Sequence, residues 1–360
     1  MNTPALIAVA IATATMACAD DAPVQTGSKV YVADEEGGTL SVIDHASRRR
    51  LRTIDLSEQV NGTVMRFTTH NVQVAPDGRS VWATAAPVAE GHVGHGGGGS
   101  GNEPVEQVVV IDPRSDTVVA RIPVGSGLHL AHVVLDAASR YAYVSANEAS
   151  QVLRIDATTR QVVGRYDLGT DRGPHGMRFC GERLYVANMN GHSLSVIDPV
   201  AGSVREVPVG GVAVQTACAF GGRYVFASLY DTREVVRLEV STGVLTRISL
   251  PQGAQGPVQL YPLPDGRLYV CDQGMLLDRP ASNKLFEVDV RAGTVVATIE
   301  VGRGAHGVVV SDDGREAFVT NFADNTVSIV DTATRRAVAT VAVGESPNGV
   351  AHWHVTGGMP

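Results

Sequence analysis

Residues 305–344 read AHGVVVSDDGREAFVTNFADNTVSIVDTATRRAVATVAVG. This stretch contains four short segments rich in β-branched residues, and turns rich in Gly, Asn and Asp separate them. Strands of this length and composition between such turns are typical of an antiparallel meander. A single four-stranded sheet of this kind cannot bury both of its faces, so the stretch predicts further copies of itself in the chain.

Two markers indicate that the unit recurs along the chain. An arginine follows the first hairpin turn of six units, at Arg79, Arg140, Arg183, Arg223, Arg267 and Arg315. An acid ends the third strand of seven units, at Asp44, Asp112, Asp156, Asp198, Glu239, Asp289 and Asp331. We expect these acids to cap the backbone N–H groups of the turns that follow them. A four-stranded repeat with a period of about forty residues indicates a β-propeller blade. The seven acid markers therefore predict an all-β chain that forms a seven-bladed β-propeller of four-stranded antiparallel blades.

Three short phrases recur in these units. They occur as Phe318-Val-Thr-Asn321, Ser195-Val-Ile-Asp198 and Pro174-His-Gly176. Through these phrases, nearly the whole chain after its N-terminal segment resembles the YVTN family of seven-bladed β-propellers. The resemblance implies the fold, but it implies no single function, because propellers host many unrelated activities.

The predicted propeller domain spans residues 28–355 and contains a Gly- and His-rich insertion at residues 85–105. The chain supplies three strands before the first inner strand, and it ends on an unaccompanied inner strand, residues 348–355. We therefore expect the C-terminal strand to pair with residues 29–33 and to complete the blade that the N-terminal three strands begin. This closure would remove the free strand edges of an open array.

Residues 1–18 have the features of a signal peptide, and residues 19–27 form a linker. The apolar run within the signal is too short to span a bilayer but has the length of a signal-peptide core. Thr15-Met-Ala-Cys18 fits a permissive lipobox, which predicts a lipidated Cys18. Alternatively, Ala17-Cys-Ala19 fits an A-x-A cleavage site. Both alternatives predict an exported protein, either free in the periplasm or lipid-anchored to the bacterial membrane facing the periplasm.

The formal net charge is −8, from 29 basic and 37 acidic residues. An acidic protein is not expected to bind nucleic acid or an anionic membrane surface. We expect a monomer that contacts a membrane only through its N-terminal lipid. Its expected partners are a small ligand, a metal ion or a periplasmic protein.

Three cysteines follow Cys18, at Cys180, Cys218 and Cys271. The sequence favours free cysteines that act as small buried hydrophobic residues. A disulfide between Cys180 and Cys218 is the alternative, because these two residues lie on successive blades. No C-x-x-C-H and no nucleotide-binding motif occurs in the sequence, so we expect neither haem nor a nucleotide as cofactor.

The inner strands are predicted to begin on one face of the disc, around the mouth of the central channel. Each inner strand starts with a polar side chain, and these are His70, His132, His175, Gln215, Gln259, His306 and Asn348. The insertion adds His92 and His95 to the same face, and His129 lies in the loop before His132.

Histidine imidazoles bind zinc and copper, and three histidines with one water form an open zinc site. The candidate metal ligands are His70, His132, His175, His92, His95 and His129. Because metal–nitrogen bonds are only about 2.0–2.1 Å long, we expect that ligands from opposite sides of the channel cannot meet at one ion. This favours the neighbouring His70, His132 and His175 and leaves out His306. The alternative interpretation is that P-H-G simply starts an inner strand, with the histidine satisfying backbone groups at the mouth.

A second set of candidate residues could bind an anionic ligand at the mouth. Arg66, Arg172 and Arg303 lie in loops between blades, where a guanidinium can make bidentate contacts. The polar amides that accompany them are Gln215, Gln259 and Asn348. The alternative is that the arginines are ordinary solvated loop residues.

The leading hypothesis is an exported, non-enzymatic binding protein whose ligand site is the mouth of the channel. In its metal-binding form it is similar to the zinc metallochaperones that share this fold, with zinc or copper as the ion. An alternative is a lactonase-like hydrolase, for which Asp34 and Asp272 are the nearest candidate acids. A third hypothesis is a protein-interaction scaffold that uses the flat face of the disc.

Overall fold

The computed structural model describes residues 27–60, 62–88 and 105–354. Within these ranges the chain forms β-strands and turns, and none of it forms a helix that could cross a membrane. Seven antiparallel sheets follow one another around a ring, which confirms the predicted seven-bladed β-propeller.

Blades 1 and 2 differ from the regular arrangement of four consecutive strands. Blade 1 includes the C-terminal strand, and the inner strand of blade 2 is divided in two. Blade 1 consists of β1 (Lys29–Asp34), β2 (Thr39–Asp44), β3 (Arg49–Asp55) and the last strand, β31 (Pro347–Trp353). A separate hairpin follows, formed by β4 (Glu58–Val60) and β5 (Thr63–Met65). Blade 2 consists of β6 (Phe67–Thr68), β7 (Val72–Val74), β8 (Val81–Pro87), β9 (Glu106–Asp112) and β10 (Thr117–Gly125).

The other five blades have four strands each, in chain order from the inside to the outside. Blade 3 consists of β11 (Leu130–Leu135), β12 (Tyr141–Ala146), β13 (Gln151–Asp156) and β14 (Gln161–Asp167). Blade 4 consists of β15 (Pro174–Cys180), β16 (Arg183–Asn188), β17 (Ser193–Asp198) and β18 (Ser203–Pro208). Blade 5 consists of β19 (Ala213–Ala219), β20 (Tyr224–Leu229), β21 (Glu234–Glu239) and β22 (Leu245–Ser249). Blade 6 consists of β23 (Pro257–Pro262), β24 (Arg267–Asp272), β25 (Lys284–Asp289) and β26 (Thr294–Glu300). Blade 7 consists of β27 (Ala305–Val310), β28 (Glu316–Asn321), β29 (Thr326–Asp331) and β30 (Arg336–Ala342).

The C-terminal strand closes the ring. β31 pairs antiparallel with β1, so that Lys29 lies opposite Trp353 and Val30 opposite His352. The indole N–H of Trp353 donates a hydrogen bond of 2.8 Å to the carbonyl oxygen of Gly78 in blade 2. The predicted pairing of the two chain ends is therefore confirmed over the described residues.

Strand direction gives the disc two distinct faces. We call the face at which the inner strands begin the top face, and the face at which the third strands end the bottom face. On the bottom face Asp156 accepts hydrogen bonds of 3.0 and 2.8 Å from the backbone N–H groups of Thr158 and Thr159. Asp198 and Asp289 accept equivalent bonds, which confirms that these acids act as turn caps.

Burial follows the position of a strand within its blade. Counted from the channel, β1 is the second strand of blade 1, and all six of its residues are buried. The outer strand β14 of blade 3 consists mostly of alternating exposed and half-buried residues. The faces of adjacent blades pack on each other through Val, Ile, Leu and aromatic side chains. Burying one such side chain contributes roughly 1.5–3 kcal/mol to folding, so the interfaces between blades hold the ring together.

The inner strand of blade 2 differs from the predicted pattern. It is interrupted between β6 and β7, and His70 lies in the gap. Here side chains supplement the backbone pairing, in which the N–H of Thr84 donates to the carbonyl oxygen of Asn71. The N–H of Asn71 donates to Thr84 Oγ1, and the Asn71 side chain accepts a bond from the N–H of Val133 in blade 3.

The interpretation that Cys180 and Cys218 are free cysteines is wrong. The two residues form a disulfide, and it joins the inner strands β15 and β19 of blades 4 and 5. Their Cα atoms lie 5.3 Å apart, because neighbouring inner strands approach closely near the channel. Cys271 is free and buried, as expected.

Candidate metal centre

The predicted polar side chains line the mouth of the channel on the top face. The glycine of the P-H-G phrase lets adjacent inner strands approach each other there. A Cβ atom on Gly176 would overlap the Gln215 side chain, and one on Gly307 would overlap the carbonyl oxygen of Asn348. This close approach brings the side chains at the mouth into mutual contact.

His70, His132 and His175 form one group of potential metal ligands. One ligand nitrogen from each residue lies within 4.8 Å of those of the other two. The ring of His175 has its centroid 4.9 Å from those of both His70 and His132. Among the described residues no other group of three His, Cys, Asp or Glu side chains has this spacing. The structure therefore brings together the histidines of three consecutive blades.

The partners of His70 and His175 assign the positions of their protons. His70 Nδ1 lies 3.0 Å from a carboxylate oxygen of Glu35 and 3.1 Å from the amide nitrogen of Asn348, and His175 Nδ1 lies 2.9 Å from the carbonyl oxygen of Val214. The Asn348 amide already donates to the other Glu35 oxygen at 2.6 Å, and a carboxylate is the stronger partner for an imidazole N–H, so we assign the proton of each ring to Nδ1. In the neutral imidazoles, the two Nε2 atoms then hold lone pairs, and these atoms lie 3.0 Å apart.

Two nitrogen lone pairs that face each other at this distance repel unless a cation lies between them. Two nitrogen ligands of one tetrahedral zinc ion are about 3.3 Å apart, given zinc–nitrogen bonds of about 2.0–2.1 Å. Metal-binding histidines usually donate their other N–H to a carboxylate or a backbone carbonyl, as His70 and His175 do here. These residues therefore fit a bound transition-metal ion.

His132 supplies the third nitrogen. Its side chain is completely buried, and its Nδ1 has no hydrogen-bond partner within the described structure. Burial, reinforced by the neighbouring imidazoles, lowers the pKa of His132 well below the usual range. Burial also lowers the pKa of His175 in the same way, with His70 adding a smaller effect. Both rings are therefore neutral at physiological pH, which is the form that binds metal ions.

His306 lies beside this group without belonging to it. Its ring centroid is 6.3 Å from that of His70, and burial lowers its pKa to about 3. Its Nδ1 is also buried without a hydrogen-bond partner in the described part of the protein. The sequence places His306 at the mouth, and the structure confirms that position.

The three amides form the rest of the polar ring. Gln215 donates a bond of 2.8 Å to Gln259 Oε1, and Asn348 donates one of 2.6 Å to Glu35. Gln259 Nε2 lies 3.5 Å from His132 Nε2, although the two residues belong to blades 6 and 3. Polar side chains from blades 3 and 6 therefore approach each other across the mouth, while the group of potential metal ligands comes from blades 2, 3 and 4. The long glutamine side chain and the inward-pointing imidazole span the narrow mouth.

The three candidate arginines lie on the top face with different partners. Arg172 forms an ion pair of 3.0 Å with Glu206, and Arg303 forms one of 2.8 Å with Asp324. Arg66 is exposed, and its carbonyl oxygen accepts a bond from the N–H of Val88. An anionic ligand would therefore compete with Glu206 and Asp324 for two of the three guanidinium groups.

The remaining predicted sites lie apart from the histidine group or outside the described residues. His129 is not a member of the group, and its backbone N–H donates to Glu106 at 2.9 Å. His92, His95 and Cys18 lie outside the described residues.

Sequence reasoning missed Glu35, which orients His70. Glu35 follows β1 in an Asp-Glu-Glu run that the repeat places on the top face. This acidic run beside the channel is the sequence feature that could have identified Glu35 as a partner of the histidines. The two candidate catalytic acids instead bond within the scaffold. Asp34 accepts bonds from Thr39 and Ser41, and Asp272 accepts bonds from backbone N–H groups of the preceding loop.

No protein-family model matches this sequence, and no curated protein matches it either. Many solved structures share its fold. Hydrazine synthase from Kuenenia stuttgartiensis is 17% identical, with a TM-score of 0.68 over 88% of this chain and 98% of that chain. Virginiamycin B lyase from Staphylococcus aureus is 14% identical, with a TM-score of 0.64 over 80% of this chain and 92% of that one.

Apo AztD from Citrobacter koseri is also similar, at 15% identity and a TM-score of 0.52 over 91% of this chain and 98% of that chain. At these identities the likenesses show the fold alone. The fold shared by this protein and its structural neighbours is the β-propeller, and its possible activity has to be argued from the side chains at the mouth.

Proposed function

We propose that this protein binds a divalent transition-metal ion, with zinc as the leading candidate, at the mouth of its channel. His70, His132 and His175 supply the nitrogen ligands, while Glu35 and the Val214 carbonyl orient two of the rings. One observation carries the proposal: the Nε2 atoms of His70 and His175 lie 3.0 Å apart, and both Nδ1 atoms already face acceptors. Copper is the second candidate, because neutral imidazoles also bind it well.

Three histidines leave one position of a tetrahedral ion for water or for another ligand. Such a site exchanges its metal more readily than a closed one, which suits delivery of the ion and requires no catalysis. The insertion leaves the propeller after β8 and returns at β9, both in blade 2, the blade that carries His70. We assign to its His92 and His95 the role of an additional ligand or of a first contact for the incoming ion.

The decisive experiment measures metal binding by protein that carries no histidine tag. Replacing His132 and His175 together by Ala should abolish high-affinity zinc and copper binding in isothermal titration calorimetry. The fold should survive, because these side chains lie at the mouth and the blades pack elsewhere. His192→Ala is the matched control, since His192 is an exposed histidine of a top-face loop. Equal affinities in the wild type and the double variant, or no binding by either, would overturn the proposal.

A deletion within the insertion tests whether His92 and His95 contribute to metal binding. Deleting residues 91–101 removes His92 and His95 and should weaken zinc binding by less than the double substitution does. The reason is that the three channel histidines remain in place. An unchanged dissociation constant would show that the insertion contributes no ligand.

The proposal places this site outside the cytoplasm. The mature protein would begin either at a lipidated Cys18 or at Asp20. Mass spectrometry of the native N-terminus distinguishes the two, because only the first carries acyl chains and partitions with membranes. An intact Met1 in the native host would contradict both.

A further inference from the structure

A second pair of histidines meets on the bottom face, where the ring closes. His45 lies in the turn after β2, and His352 lies in the last strand, β31. His45 Nδ1 and His352 Nε2 are 3.1 Å apart, which is close to the separation within the group at the mouth. This pair is distant from the proposed metal centre, since it lies at the opposite end of the inner strands.

Carboxylates hold the outer nitrogens of this pair. His45 Nε2 lies 2.6 Å from Glu316, and His352 Nδ1 lies 3.3 Å from Asp312. Glu316 also forms an ion pair of 2.5 Å with Arg48, which holds the carboxylate in position beside His45. With each outer nitrogen donating to its carboxylate, the two inner nitrogens present lone pairs to each other.

An aromatic ring fixes the orientation of both imidazoles. The Phe318 ring stacks on His352 with a centroid separation of 5.9 Å, and it meets His45 edge to face at 5.0 Å. The Phe318 side chain is itself buried. The two facing nitrogens are therefore held in place by packing as well as by hydrogen bonds.

A third histidine lies within reach of the pair. His354 follows His352 by two residues, so the two side chains point to the same face of the strand. Its Nδ1 is 4.0 Å from Asp312, and its side chain is 42% exposed, which leaves it room to change rotamer. Two histidines at alternate positions of a strand, with a third across from them, can surround one ion.

We propose that this cluster is a second metal site, which binds a divalent transition-metal ion of the zinc class between His45 Nδ1 and His352 Nε2. His354 serves as the third ligand, and water completes the coordination. Glu316 and Asp312 orient the two ligating rings, as carboxylates commonly do around zinc. Imidazole nitrogen is a ligand type that zinc prefers, and the facing nitrogens lie near the separation of about 3.3 Å expected in a tetrahedral site.

The location gives this site a structural consequence. His45 belongs to blade 1, His352 to the C-terminal strand, and both orienting carboxylates to blade 7. A bound ion would therefore bridge the seam at which the ring closes. Since the unfolded chain does not assemble these ligands, zinc should raise the melting temperature through this site.

The test uses full-length protein in which the mouth site is disabled. H132A/H175A should lose the high-affinity binding of the mouth but should still bind about one equivalent of zinc more weakly at the seam, and it should melt several degrees higher with excess zinc than with a chelator. Adding His45→Gln should remove both effects. Glutamine keeps the polarity of this partly exposed turn position and is a poor zinc ligand, so the fold should be retained. Adding His354→Ala should weaken binding less, and adding His192→Gln should change neither effect.

The outcomes separate this inference from the proposal for the mouth. If H132A/H175A binds no zinc while the wild type binds one equivalent, the seam site does not exist. The same conclusion follows if residual binding persists after His45→Gln in a variant that circular dichroism shows to be folded. If wild-type zinc binding is insensitive to H132A/H175A but is lost in His45→Gln, the seam site stands and the mouth site falls.

Discussion

Single hydrogen bonds decide the chemistry of the mouth. A histidine pair at 3.0 Å could be an ordinary hydrogen bond, in which one ring donates to the other. The Glu35 carboxylate opposes that arrangement, because it accepts a hydrogen bond from the N–H at His70 Nδ1 and so leaves Nε2 without a proton. Asn348 donates to the second oxygen of Glu35 and holds the carboxylate in place. Glu35 is thus a positioning residue that turns the lone pair of His70 toward the proposed metal site.

The first prediction concerns this residue. Glu35→Gln removes the charge but keeps the size, so the His70 ring loses its strongest acceptor and part of its basicity. Zinc affinity should fall by about 10–100-fold, the usual effect of changing an orienting partner. Glu36→Gln is the matched control, because the neighbouring Glu36 is exposed and its carboxylate accepts a hydrogen bond from the Ser346 hydroxyl. Competition with a chromophoric chelator gives the dissociation constants, and equal values for both variants would contradict the role of Glu35.

For single residues at the mouth, the sequence predicts where they lie better than it predicts which atoms they contact. Aligning the inner strands is enough to place His70, His132 and His175 side by side, because each follows the same turn in its repeat. The alignment of the inner strands does not identify Glu35, because Glu35 lies in a loop whose path depends on the closure of the ring. The reach of Gln259 across the channel to His132 depends on channel width, which no repeat pattern specifies.

At the scale of the element, the second strands of blades 1, 4 and 7 end in an Asp or Asn side chain that bonds to hydroxyls of the next strand. In blade 7 the Asn321 amide donates to Thr326 and Ser328, and its oxygen accepts a bond from the N–H of Gly302. In blade 1 the equivalent residue is Asp34. It is bonded to Thr39 and Ser41 in the next strand, and to the N–H of Gly344 in the preceding loop. One blade thus buries a carboxyl group where another buries a neutral amide.

The second prediction follows from this difference. Burial raises the pKa of Asp34 to about 6, although its hydrogen bonds act in the opposite direction. In the unfolded chain the carboxyl ionises at about 3.9. The folded state therefore binds the extra proton between about pH 4 and 6, and the wild type loses stability as the pH rises through that window.

Asp34→Asn should remove this loss, because the hydroxyls of Thr39 and Ser41 can rotate to accept from an amide as they do in blade 7. At pH 7 the variant should be more stable by roughly 3 kcal/mol, and the difference should vanish near pH 4. Urea unfolding at both pH values measures it. Asn321→Asp is the reverse control and should destabilise the protein at pH 7. A pH-independent difference would contradict the assigned cause.

The regular elements follow from the repeat, and the irregular ones do not. Seven acids and the β-branched runs are sufficient to predict the blades, since each strand repeats the same alternation between packed layers. The hairpin of β4 and β5 has no counterpart in the other described repeats. At the break before β7 the N–H of Asn71 donates to a hydroxyl of the second strand, and equivalent bonds accompany register irregularities in blades 3, 5 and 7. A pattern of hydrophobic residues does not record such bonds.

At the scale of the whole molecule, stability depends on the last strand. β31 is buried along its whole length, and it contacts both blade 7 and blade 2 besides its partner β1. Without it, blade 1 would present the unpaired inner edge of β1 to the channel. Trp353 also covers the buried Lys29, whose ammonium group lies 5.3 Å from the indole ring.

The third prediction is that a chain ending at Asn348 is severely destabilised. It loses the burial of Val350, Ala351 and Trp353, which alone is worth more than about 4 kcal/mol. It also removes the Trp353 ring that shields the buried Lys29 side chain from solvent. The midpoint of thermal unfolding should fall steeply, and a synthetic peptide of residues 347–360 should restore it by supplying the strand in trans. A truncated chain with an unchanged midpoint would show that the other blades close the ring without β31.

The pairing of Lys29 with Trp353 also determines which face of the disc lies next to an anchor attached at either chain end. Both ends of the propeller leave from the bottom face, whereas the histidine mouth opens on the top face. A lipid attached upstream at Cys18 would therefore hold the disc with its mouth turned away from the bilayer, accessible to molecules that diffuse in the surrounding space. A laboratory tether has the same geometry. Immobilisation through either end would leave the mouth unobstructed, while a polyhistidine tag at either end would place competing imidazoles next to the seam.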